Sequence, residues 1–71
     1  MTENMRVRCT IDRYWDAAQR IYVGTEAVGT LVDFSTQNEK DRPDRVEPVG
    51  IVLLDDSGTF ESVPMEFMEI I

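Results

Sequence analysis

The stretch Val49-Gly50-Ile51-Val52-Leu53-Leu54-Asp55-Asp56-Ser57-Gly58-Thr59-Phe60-Glu61-Ser62-Val63-Pro64-Met65-Glu66-Phe67-Met68-Glu69-Ile70-Ile71 decides the fold. Val49 to Leu54 is apolar on both faces apart from Gly50, which predicts the most buried strand of the chain, or one whose outer side is covered, as a dimer contact would cover it. Asp55-Asp56-Ser57-Gly58 predicts a hairpin turn with Gly58 where positive φ is needed, and Thr59 to Val63 returns antiparallel. Pro64 cannot donate to a ladder, so it ends that strand; Pro64 to Phe67 then makes one short turn and Met68 to Ile71 forms a final strand that closes the sheet. This succession is how a small β-barrel seals itself, a geometry that serves many unrelated functions.

Upstream, Met5, Val7, Cys9 and Ile11 alternate with Arg6, Arg8 and Thr10, the pattern of a half-buried strand. Cys9 lies on the apolar side of that strand and reads as a packing residue rather than a nucleophile. Asp12 to Val23 has two readings. Ile11, Tyr14, Trp15, Ala18, Ile21 and Tyr22 recur at helical spacing, with Asp12 to cap a helix and Gly24 to stop it. Against this, the segment reads as a long irregular first loop with a helical turn at Arg13 to Ala18, and Ile21 to Val23 already extended by β-branched and aromatic preference; we favour the loop. Val28 to Phe34 is the second strand, in which Gly29 marks a bulge or a close backbone approach. Ser35 to Glu47 has almost no apolar content and mixes both charges around Pro43, which predicts an exposed connection.

With 71 residues the chain is expected to form a single domain over 1–71 with little stability to spare. Fourteen acidic against seven basic residues give a net charge of −7, with four of the basic residues among the first twenty. A field of that sign repels a polyanion, so nucleic acid is disfavoured as a partner. One cysteine excludes an intrachain disulfide, and no opening stretch resembles a signal segment. No apolar run reaches the roughly 20 residues of a membrane span. A soluble cytoplasmic protein, monomeric or weakly dimeric, is the expectation.

The closing segment Val63-Pro64-Met65-Glu66-Phe67-Met68-Glu69-Ile70-Ile71 resembles the corresponding part of SH3 domains, where a proline, two intervening residues and an aromatic form a short helical turn before a last apolar strand. Val7-Arg8, Tyr14-Trp15, Val28 to Asp33, Pro48-Val49 and Ile51 to Leu53 are similar in order to the small stromal barrel subunit of photosystem I and to bacterial SH3-like domains. The resemblance implies an all-β, five-stranded SH3-like barrel with a long first loop and a short helical turn before the last strand. It also implies docking of a partner at the barrel surface. Val49 and Gly50 stand where peptide-binding SH3 domains carry their groove tryptophan, so a proline-rich ligand is not expected.

The chain has no histidine, which removes the usual general base near neutral pH and the commonest metal ligand. Neighbouring acids such as Asp55 with Asp56, or Asp12 with Asp16, read as turn and surface residues. Asp55 to Glu61 lacks the ligand spacing of a calcium loop, and no glycine-rich loop precedes a helix. No catalytic residue, cofactor or metal is therefore assigned. The expected function is a noncatalytic interaction module docking the basic surface of a larger protein through Asp55, Asp56 and Glu61. Arg13, Tyr14 and Trp15 are its candidate anchor, since an aromatic beside an arginine is a common protein contact. The bland alternative is that both aromatics wrap onto the barrel and close its end. Two other functions compete. Arg6 and Arg8, sharing an exposed strand face, would form a nucleic-acid stripe; or the acids would mimic a phosphate backbone and inhibit a nucleic-acid-binding protein.

Overall fold

The computed structural model describes residues 5–39 and 42–71. It is all-β. Five strands, β1 (Met5–Asp16), β2 (Ile21–Asn38), β3 (Val46–Leu54), β4 (Phe60–Pro64) and β5 (Met68–Ile70), form one antiparallel sheet in the order β4-β3-β2-β1-β5. The first four are successive hairpins. A 3-10 turn, Met65–Phe67, then carries the chain from one edge of the sheet to the other, where β5 pairs with β1 through Val7↔Ile70 and Cys9↔Met68. Among the described residues no ladder joins β4 to β5.

The core follows from the period of two. Val7 and Cys9 of β1, Leu31 of β2, Val52 and Leu54 of β3 and Val63 of β4 form one cluster, none more than 6% exposed, with Ile11, Ala27, Phe67 and Met68 packed against it. Arg6 and Arg8 alternate with Val7 and Cys9 on the exposed side, as the pattern predicts. Burial pushes the Cys9 thiol pKa up, which suppresses the nucleophilic thiolate and leaves a packing role. No residue from Val49 to Leu54 is exposed, and Val49 is buried opposite Pro64. The expected covering of the outer side is thus supplied in part within the chain.

Three expectations are corrected. The long first loop does not exist: β1 runs on to Asp16, β2 begins at Ile21, and only residues 17–20 lie between them. The preference of Ile21-Tyr22-Val23 for extended backbone, joined to Tyr14↔Val23 and Trp15↔Tyr22 pairing, outweighs the helical spacing. The expected helical turn at Arg13 to Ala18 is displaced to the chain reversal itself. There Asp16, not Asp12, acts as the cap: its side chain accepts from the Ala18 and Gln19 amides at 3.0 and 3.3 Å. Ser35 to Glu47 is also shorter as a connection than its composition suggests, because Ser35↔Val49 through Asn38↔Val46 continue the β2–β3 ladder as a projecting arm. The part of that reading falling on Lys40 and Asp41 lies outside the described residues.

Both four-residue turns use one backbone solution. Arg20 N donates to Asp16 O at 2.7 Å and Gly58 N to Leu54 O at 3.0 Å, and the fourth turn residue is left-handed in each, with φ 58 at Arg20 and 67 at Gly58. Only the second turn has the residue type suited to that conformation, as expected from Asp55 to Gly58. Arg20→Gly should therefore raise stability by about 0.5–1 kcal/mol, the relief of left-handed strain exceeding the added chain entropy. Urea unfolding followed by circular dichroism checks this, and an unchanged or lower midpoint refutes it.

Candidate functional site

Where the hairpin arm leaves the core, three walls enclose a groove of about 370 Å³. Its floor is aromatic. Phe67, presented by the 3-10 turn, meets Tyr22 of β2 edge to face with ring centroids 5.7 Å apart, and Tyr22 meets Trp15 in the same way at 5.1 Å. Edge-to-face contact between such rings places the positive rim of one against the negative face of the next, which fixes the row at these spacings. Pro64, buried at the end of β4, lines the groove beside Phe67.

Carboxylates rim it. Gln37, Asn38, Glu39 and Glu47 come from the arm, and Glu66 from the 3-10 turn. Gln37 Nε2 donates to Glu47 Oε1 at 2.9 Å, bracing that wall, and Asn38 Nδ2 donates to Pro43 O at 2.6 Å, holding the arm's end. Among the described residues neither Glu39 nor Glu66 has an ion-pair partner. Arg13 enters from β1, its guanidinium carbon 5.0 Å from the Phe67 centroid and its Nη1 donating to Thr10 O at 2.6 Å.

The residues expected to form the site are thus distributed over several places. Arg13 lines the groove, and Trp15 extends the aromatic row beyond it while remaining 53% exposed. Tyr14 is 61% exposed and does not line it, so the wrapping of both aromatics onto the barrel is not realised. Asp55 sits on the β3–β4 turn, where Arg6 binds both its carboxylate oxygens; that bond holds the Asp55 carboxyl below the usual range and raises the Arg6 pKa. Asp56 is exposed on the same turn. Glu61 lies half-buried on edge strand β4 opposite Val52. These three acids therefore do not share the groove, and one of them is already paired.

The arginines proposed as a stripe share an exposed face, as expected, but neither is uncompensated. Arg6 holds Asp55, and Arg8 lies 2.9 Å from Glu69 and 3.5 Å from Glu26. Sequence reasoning missed Tyr22, Glu39, Glu47 and Glu66; reading residues 12–23 as a hairpin would have set Tyr22 opposite Trp15. No group of three or more metal-ligating side chains occurs among the described residues, and none of their helices is long and apolar enough to cross a membrane. No protein-family model, no curated protein and no solved structure matches the chain.

Proposed function

We propose that this chain is a noncatalytic interaction module on an SH3-like barrel, and that it docks a basic segment of a larger protein in the groove between the hairpin arm and the 3-10 turn. The carrying observation is the pairing of an aromatic floor with carboxylates that, among the described residues, form no ion pair. Apolar ring faces take up the stem of a lysine or arginine, and Glu39, Glu47 and Glu66 meet its charge. The strand order supports the barrel: β1 holds the last strand at its outer edge, and the proline-led turn brings the chain back to it. A chain with no histidine and a single buried cysteine is poorly equipped for catalysis and well equipped for binding. The paired state of Arg6 and Arg8 argues against the nucleic-acid stripe. A nucleic-acid-binding protein remains one kind of basic partner that the same acids would attract.

Acetylated and amidated tetra-arginine is a direct probe. Its titration should shift amide resonances of Tyr22, Gln37, Glu47 and Phe67. Joint Glu39→Lys, Glu47→Lys and Glu66→Lys substitution should weaken it roughly tenfold or more, three charge pairs with the peptide being lost and replaced by repulsion. Asp55→Asn with Asp56→Asn should change the affinity little. Shifts centred on the Asp55–Gly58 turn, or none at low salt, would overturn the groove as the docking site.

A further inference from the structure

We propose that Arg13 is a built-in occupant of the groove's cation seat, and that it sets the charge a ligand must bring: a segment with two or more cationic side chains is admitted and a single cation is turned away. This rests on the reading of the groove as a dock for a basic segment. Several independent features place Arg13 there. The β1–β2 ladder stops at Ile11↔Thr25 and resumes at Tyr14↔Val23, so Asp12 and Arg13 together stand against Gly24 and β1 carries one extra residue there. Asp12 takes φ 52, a conformation that side-chain-bearing residues adopt reluctantly, so the bulge is held against a backbone preference. Gly24 crosses it so closely that a Cβ would lie 2.5 Å from Ile11 O and 3.3 Å from the Arg13 Cα. Only a glycine lets β2 pass.

A bulge re-aims the side chain it carries. Here the result is a guanidinium over the Phe67 ring, tethered to the Thr10 carbonyl. That ring face is where an incoming lysine or arginine would gain most, and it is taken by a like charge. Among the described lining residues, three carboxylates, Glu39, Glu47 and Glu66, stand against one guanidinium, an excess of two negative charges. A lone cation must displace Arg13 or sit beside it. A segment with two cations can address the arm acids and Glu66 together while Arg13 keeps its ring.

The test uses two capped peptides, Gly-Arg-Gly and Gly-Arg-Gly-Arg-Gly, titrated into the wild type, Arg13→Met and Arg13→Lys and followed by groove amide shifts. Methionine keeps a long apolar stem for Phe67 and removes the charge; urea midpoints establish that each variant is folded. The wild type should prefer the two-arginine peptide by about tenfold or more. Arg13→Met should bind the one-arginine peptide roughly threefold to tenfold more tightly than wild type, narrowing that preference, and Arg13→Lys should behave as wild type. If Arg13→Met binds the one-arginine peptide no better than wild type, the inference falls; should the wild type still bind the two-arginine peptide, the docking reading survives it. Absence of binding to either peptide by wild type and Arg13→Met alike removes both.

Discussion

Gly29→Ala should remove a large part of the chain's folding stability. Gly29 sits in the middle of the sheet, paired with Val7 on one side and Leu54 on the other. A Cβ there would overlap the Leu53 carbonyl oxygen, and would lie 2.7 Å from Val52 Cγ1 and 3.0 Å from the Leu53 carbonyl carbon. Two of these are backbone atoms of a neighbouring strand, and the third belongs to a side chain with no exposed surface. Neither can yield without opening the ladder, so the loss should reach about 3 kcal/mol or more, at the upper end of what overpacking does. A 71-residue domain holds roughly 4–10 kcal/mol in total. Far-ultraviolet circular dichroism across a urea series measures the loss, and a variant within about 1 kcal/mol of wild type would show that the strands do not cross so closely.

Where side chains both alternate and are buried, the structure was readable from residues alone. Val7 and Cys9, the apolar run from Val49 to Leu54, the turn at Gly58 and the proline-led turn at Met65–Phe67 all lie where their chemistry puts them. Residues 12–23 were not readable, because one extra residue in β1, where Asp12 and Arg13 together face Gly24, breaks the period of two midway along the strand. Ile11 and Tyr14 then fall at a spacing that also suits a helix. Ser35 to Asn38 failed for another reason: these residues are held by the ladder to 46–49 rather than by burial, so no apolar pattern marks them. The groove was still less accessible. Its floor joins the start of β2 to the 3-10 turn, its rim comes from the arm, and no two of Arg13, Tyr22, Glu47 and Phe67 are neighbours in sequence. Asp55 and Asp56 lie on the turn that their sequence predicts, and what the sequence does not mark is that Arg6 pairs with the first of them.

Phe67 is where folding and docking share one side chain, and substitutions there should separate the two. Phe67→Ala should reduce stability by about 2–3 kcal/mol: the ring packs against the core cluster but is only half-buried, so the loss falls short of a fully enclosed phenylalanine. It should also abolish tetra-arginine binding, since Tyr22 loses its edge-to-face partner and Arg13 its ring. Phe67→Leu restores most of the apolar volume without the aromatic face, so its stability should return to within about 1.5 kcal/mol of wild type. Its affinity for tetra-arginine should nevertheless stay roughly threefold to tenfold below wild type, because a branched alkyl group offers no quadrupole to hold Arg13, whose guanidinium then competes with the peptide for the rim carboxylates. Paired urea unfolding and peptide titration separate the outcomes. A leucine variant that binds as tightly as wild type would reduce the groove floor to a shaped apolar surface, with recognition left to the carboxylate rim. A variant that recovers stability while binding remains weak would assign to one ring the closing of the core on its inner side and the reading of charge on its outer side.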